Sequence, residues 1–296
     1  MTKFIVGVDL STEGERAVAH AVAAARHVGA ELELVMIDAV PDLAEPIPAS
    51  MRTIADRYRE TLQERLAQHR LELAALRERW LGHGVEISQL IVDGYPDERL
   101  PAVAAERDAA LIVVGSHGRT GLKRFLIGSV AEQVTRRAEM SVLVSRGDAP
   151  DGGYRRVVVG TDFSILADLA LTRALPFLAQ GARVDLVHSW QLPWTGAFGE
   201  SVAAIAFDDL HRALSDSLRE TAQRLRDTLK DRPDVELVPQ LVTASSSRGL
   251  IDAAAERQAE LVVVGSHGRR GVRRLVLGSV AEVVVRHAPC SVLVTR

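Results

Sequence analysis

The chain repeats itself, and the repeat limits what it can fold into more than any other feature. Leu111–Val134 and Leu261–Val284 agree at 16 of 24 positions without a gap. The shared frame is V-V-G-S-H-G-R-x-G-x-x-R-x-x-x-G-S-V-A-E-x-V. A second match pairs Gly7-Val8-Asp9-Leu10-Ser11 with Gly160-Thr161-Asp162-Phe163-Ser164, in the same order and at nearly the same spacing. Two ordered matches mean a duplicated domain. The join lies in Gly147-Asp148-Ala149-Pro150-Asp151-Gly152-Gly153, a run of turn-forming residues. The domains are therefore expected at 1–147 and 154–296. Each is long enough to bury a core of its own. So short a connection predicts halves packed on each other, about a pseudo-twofold axis with the closing strands as its natural edges.

Within each half, strand and helix alternate. In the first, Phe4–Val8, Leu32–Ile37, Val85–Val92, Leu111–Val114 and Val142–Val144 read as strands. Helices are expected over Glu13–Val28 (ended by Gly29), about Met51–Trp80, Pro96–Glu106 and Val130–Arg137. The long helix carries an apolar stripe of Ile54, Tyr58, Leu62, Leu66, Leu73, Leu76 and Trp80. The second half gives strands at Val157–Val159, Val184–Val187, Glu236–Val242, Leu261–Val264 and Val292–Val294. Its helices are expected at Leu166–Gln180, Phe207–Lys230, Arg248–Glu256 and Val280–His287. Short, wholly apolar strands such as Leu261-Val262-Val263-Val264 suit a sheet covered on both faces. The fold class is α/β: two tandem doubly wound domains, each a parallel sheet with helices on both faces. Such sheets place ligands at the carboxyl ends of their strands. Chemistry is therefore expected after Val8, Ile37 and Val114, and after Thr161, Ser189 and Val264.

At that place Val114 is followed by Gly115-Ser116-His117-Gly118, and later by Gly128-Ser129 opening a helix. Glycines let backbone N–H groups approach an anion, and the helix N-terminus adds unpaired N–H groups and partial positive charge. Arg119, Lys123 and Arg124 flank the first loop; Arg269, Arg270, Arg273 and Arg274 flank the second. This field suits a polyphosphate. Asp9 and Asp162, just past the first strand of each half, fit hydrogen bonds from a ribose or an adenine amine. An Asx turn or helix cap explains the same residues equally well. His117 and His267 suit a bond to backbone or phosphate better than acid–base work. The Lys-Ser/Thr of a P-loop is missing, as is a G-x-S-x-G elbow. A binding module is favoured over a turnover enzyme.

The spacing Gly115-x2-Gly118-x9-Gly128-Ser129, repeated as Gly265-x2-Gly268-x9-Gly278-Ser279, resembles the G-2x-G-9x-G-S/T signature of ATP-binding universal stress proteins. The resemblance covers essentially the whole chain. It implies five-stranded sheets ordered 3-2-1-4-5 with ATP across the strand ends. Any hydrolysis would be slow, with Mg²⁺ carried in on the phosphates. Asp9, Ile37 and Val114 would line the adenosine side. Gly115, Gly118, Arg119, Gly128, Ser129 and Val130 would hold ribose and phosphates. The second set is Asp162, Ser189, Val264, Gly265, Gly268, Arg269, Gly278, Ser279 and Val280. That copy departs where Ala244-Ser245-Ser246 replaces Gly94-Tyr95-Pro96, and where Ser189 stands beside the base. The resemblance also implies a regulatory stress-response role, a homodimer and an unidentified signalling partner. The alternative is a weak ATPase or nucleotide-dependent phosphotransfer enzyme.

Composition narrows the classes further. A hydrophobic content of 47%, 25% charged residues and a net charge of −3 describe a soluble globular protein without a basic nucleic-acid surface. No stretch approaches the ~20 apolar residues of a membrane span. The opening Met1-to-Val8 run lacks the layout of a signal peptide, so a cytoplasmic location is expected. The one cysteine, Cys290, reads as a buried structural thiol.

Overall fold

The computed structural model describes residues 2–38, 52–118, 127–191, 200–266 and 277–296. Described residues up to Gly118 and from Gly128 to Ala149 cluster as one compact unit, and those from Pro150 to Arg296 as another. Chain order in the first unit is β1 (Lys3–Gly7), α1 (Thr12–Val28), β2 (Glu31–Asp38), α2 (Arg52–Trp80), β3 (Ile87–Asp93), α3 (Pro96–Glu106), β4 (Leu111–Gly115), α4 (Ser129–Arg137) and β5 (Ser141–Ser145). In the second it is β6 (Tyr154–Gly160), α5 (Ile165–Ala174), β7 (Leu178–Trp190), α6 (Glu200–Thr228), β8 (Glu236–Thr243), α7 (Ser246–Glu256), β9 (Leu261–Gly265), α8 (Ser279–His287) and β10 (Ser291–Thr295).

The first sheet runs β3-β2-β1-β4-β5 and the second β8-β7-β6-β9-β10, both the expected 3-2-1-4-5. Neighbouring strands within each are parallel, with Gly7 opposite both Val35 and Val114, and Gly160 opposite Val187. Ile5, Val6, Ile112, Val113 and Val142–Val144 are wholly buried, as strands covered on both faces require. Helix α1 starts where Ser11 Oγ accepts from the Gly14 N–H at 3.1 Å, and ends at Gly29 with φ +63°. Ser164 caps α5 in the same way, accepting from Ala167. Before each cap, Leu10 (φ +62°) and Phe163 (φ +66°) occupy the left-handed region, which bulky residues rarely enter. The duplicated turn thus keeps the same strained backbone in both copies.

Two sequence expectations need correcting. The helix expected over Leu166–Gln180 stops at Ala174. Pro176 has no N–H to continue the ladder, a single 3-10 turn follows at Leu175–Phe177, and β7 begins at Leu178. The α2 stripe is buried only toward its C-terminus: Leu73 and Leu76 are enclosed, whereas Ile54 is 66% exposed. A helix of 29 residues is about 43 Å long, and an eight-residue strand spans about 27 Å, so the sheet cannot cover its whole length. Cys290 is buried, as expected. No helix among the described residues is long and apolar enough to cross a membrane.

Candidate functional site

A cavity of about 300 Å³ opens at the carboxyl ends of β1, β2 and β4. It brings together Asp9, Ile37, Val114, Gly115, Gly118, Gly128, Ser129 and Val130, all named from sequence. Arg119 lies outside the described residues. His117, read from sequence as a residue for backbone or phosphate, lines it too; sequence reading missed Gly14 and the α3 residues Pro96 and Leu100 as lining residues.

Its floor exists because β1 ends in a glycine. A Cβ on Gly7 would stand 2.6 Å from Leu100 Cδ2, so glycine lets α3 press down there with Leu100 in place; Gly160 does the same for Leu250 at 2.9 Å. Just beyond, the Asp9 carboxylate is seated in a niche. Its Oδ1 accepts from Ser11 N at 3.1 Å and from Ser11 Oγ at 2.5 Å. A Cβ at Gly14 would come within 2.7 Å of Oδ1, and one at Gly118 within 2.8 Å of Oδ2. Gly118 therefore makes room for Asp9. Gly115 has a different reason for being glycine: a Cβ there would meet the Glu13 carbonyl oxygen at 2.8 Å, so it serves the packing of α1 on β4.

The far wall is the N-terminus of α4. Gly128 N donates to Ser116 O at 2.7 Å, locking the returning chain against the end of β4. As N-cap, Gly128 offers no side-chain oxygen to the first turn. The amides of Ser129, Val130 and Ala131 precede the first N–H that can close an α-helical bond, so they face outward as an anion cradle. Ser129 and Val130 are exposed beside it. Beneath the cradle, Ser116 Oγ lies 3.0 Å from His117 Nδ1. Among the described residues, no group of three His, Cys, Asp or Glu side chains is placed to hold a metal ion.

The second unit repeats this main chain and alters its side chains. Gly278 N donates to Ser266 O at 2.8 Å, and Gly278 is again a cap without a side chain. Val264 and Gly265 end β9, while Ser279 and Val280 open α8. Gly268, Arg269 and His267 lie outside the described residues. Asp162 Oδ1 accepts from Ser164 N at 3.1 Å. However, Ala167 stands at the helix position matching Gly14, so a methyl group replaces the hydrogen there. Ser189, matching Ile37, packs against α7: a Cβ on Gly249 would stand 2.9 Å from its Cβ, and its Oγ is buried without a hydrogen-bond partner. The next residue differs too. Asp38 is held by Arg65 at 2.9 Å and His69 at 2.8 Å, whereas Trp190 packs against Phe207 with tilted rings whose centroids are 4.8 Å apart.

Two doubly wound units, each with a glycine-capped helix N-terminus at the carboxyl ends of its strands, define a tandem α/β protein. The family model described as the universal stress protein family matches residues 1–146 and again 153–296. A universal stress protein of Mycolicibacterium smegmatis is 31% identical over 303 residues, covering 99% of this chain and 96% of that one. The universal stress protein Rv2005c of Mycobacterium tuberculosis is 33% identical over 198 residues, which span 66% of this chain and 64% of the relative. Among solved structures, a universal stress protein from Archaeoglobus fulgidus superposes with a TM-score of 0.62 at 20% identity, covering 99% of this chain and 98% of that one. The chain belongs to the universal stress protein family.

Proposed function

We propose that this stress protein binds ATP at the strand ends of each domain and passes the nucleotide state to a partner protein. The observation that carries this reading is the uncapped N-terminus of α4, which faces a cavity of about 300 Å³. That volume lies at the lower end of small-molecule pockets. It suits a nucleoside, with the phosphates running out along the cradle. Asp9 would accept from a ribose hydroxyl or the adenine amine, and Ile37 and Val114 would flank the base. Gly118, Gly128, Ser129 and Val130 would meet the phosphates through backbone N–H groups and the Ser129 hydroxyl. Bound ATP supplies the negative charge that the cradle is polarised to receive, and Mg²⁺ would arrive with it. In this reading the protein works in the cytoplasm as a homodimer in a regulatory stress role.

Mass spectrometry of gently purified protein tests it, with ATP as the expected companion. ADP accumulating over time would instead favour a weak ATPase or phosphotransfer enzyme. Ser129→Asp is the sharper probe. An acidic residue suits the first turn of a helix, so α4 should stay folded while the phosphates meet a like charge. ATP affinity at the first site should fall at least about tenfold. Unchanged affinity there would refute the placement of the phosphates.

A further inference from the structure

A parallel strand at the end of a sheet bonds its neighbour through alternate residues, and the others turn their amides and carbonyls outward. Strand β3 ends the first sheet, and its register on β2 fixes which residues these are. Glu86 O accepts from Leu32 N, and Gly94 N donates to Asp38 O. The even-numbered residues therefore face β2, while Ile87, Gln89, Ile91 and Asp93 turn their backbone outward. Arg77 of α2 meets the Ile87 carbonyl there, its Nε donating at 2.7 Å. Beside Gln89 and Ile91 no further strand lies among the described residues.

The second unit has the same edge and closes it. Strand β8 pairs with β7 in the matching register, Ala244 N donating to Trp190 O as Gly94 N does to Asp38 O. Pro239 stands at the place of Gln89, so that outward position has no N–H to offer, a common way of protecting an edge. Strand β3 has neither proline nor charge from Ile87 to Val92. Such an edge is a template for another strand.

The strand that fits it best is itself. Two β3 strands set antiparallel about Leu90 bring Gln89 of each opposite Ile91 of the other, all with outward backbone. Each Gln89–Ile91 pair then exchanges two hydrogen bonds. Farther out, Asp93 comes opposite Ile87 of the second copy, at the carbonyl where Arg77 is already bound. The exposed carboxylate thus meets a guanidinium, and symmetry repeats the pair at the other end.

We infer that β3 is the surface through which two copies of this chain join, its strands antiparallel about Leu90 and flanked by Arg77–Asp93 pairs. A self-complementary pairing uses up the edge, so it closes at two copies. The inference rests on the homodimer of the reading above and gives it a surface; it is independent of the nucleotide.

Sedimentation of the full chain over a concentration series should resolve a species of twice the chain mass. Gln89→Pro gives β3 the protection that β8 already has. The lost N–H points away from β2, so the ladder within the sheet remains and the Tm of the dilute chain should hold. Half of the bonds between copies disappear, and the dimer dissociation constant should rise at least about tenfold. Arg77→Glu and Asp93→Arg each set like charges together and should sediment as single chains. Mixed in equal amounts, they restore both attractive pairs and should recover the dimer. The surface is overturned if Gln89→Pro dimerises as tightly as the native chain, or if the two charge-reversed chains, each folded by its melt, fail to combine. A native chain that stays single at every concentration would overturn the homodimer and this surface together.

Discussion

Gly14→Ala isolates the niche that seats Asp9. A Cβ there would stand 2.7 Å from Asp9 Oδ1, against an ordinary contact of about 3.5 Å. The carboxylate must retreat by roughly 0.8 Å. The oxygen that moves accepts from Ser11 N and Ser11 Oγ, so both bonds are stretched or lost. Bonds to a charged acceptor contribute about 1.5–3 kcal/mol each when fully formed. Against this, alanine in place of helical glycine stabilises by up to ~1 kcal/mol. Partial loss of two bonds offset by that gain leaves a net destabilisation of about 1–3 kcal/mol, well within what a folded domain tolerates. ATP affinity at the first site should fall about tenfold or more, because the displaced carboxylate no longer meets the ribose or amine. Isothermal titration of the native and variant chains, with thermal melts beside them, reads both effects. The reverse change, Ala167→Gly, should strengthen ATP binding at the second site. The reasoning fails if Gly14→Ala leaves ATP affinity unchanged while the protein remains folded.

Gly115→Ala should lower Tm even without ligand, because its Cβ would meet the Glu13 carbonyl at 2.8 Å and backbone cannot swing aside; a melting temperature equal to the native one would contradict this. Leu73→Ala should cost about 2–5 kcal/mol in denaturant unfolding, and Ile54→Ala under about 0.5, since only the first is enclosed. Burial lowers the His20 pKa below its ordinary value of 6.5, against the opposing bond to Gly147 O. The unfolded chain then takes up a proton that the folded one resists, so stability should fall as pH drops below about 6.5 and hold steady above it. Comparing urea midpoints of the native chain and His20→Gln across pH 5 to 8 should show a shallower acid loss in the variant.

The repeat made the fold legible because it is written in main-chain requirements. Gly7 and Gly160 each let a leucine of the following helix layer press on the strand end, and Gly128 and Gly278 each tie a returning loop to the end of the fourth strand. A side chain at Gly7 or Gly160 would have to displace that leucine, so both copies keep glycine there and the pattern can be read. The end of α5 is legible in principle from Pro176, which cannot donate to the helical ladder. Gly14 went unnoticed for another reason. A glycine in the first turn of a helix looks like a weak helix former, and only its distance to Asp9 reveals what it makes room for. The burial of α2 was beyond sequence altogether, since periodicity marks a face and not how far a sheet extends beneath it.

The same division between backbone and side chain explains how the two sites can differ within one fold. An anion cradle is made of amides, so duplication preserves it wherever the loop retains its caps, and Gly128 and Gly278 superimpose in role down to their bonds to Ser116 and Ser266. Recognition of a base and ribose depends on side chains, and there the copies have separated. Ala167 stands for Gly14, Ser189 for Ile37, and Trp190 packed against Phe207 for the buried Asp38 with its Arg65 and His69 partners. None of these changes touches the cradle, and Gly14 and Ile37 line the cavity beside it. The two domains should therefore bind inorganic triphosphate with similar affinity and discriminate between nucleosides differently. Competition titrations with triphosphate, ATP and GTP would measure this. Equal base preference at the two sites would show that the substituted side chains do not reach the ligand.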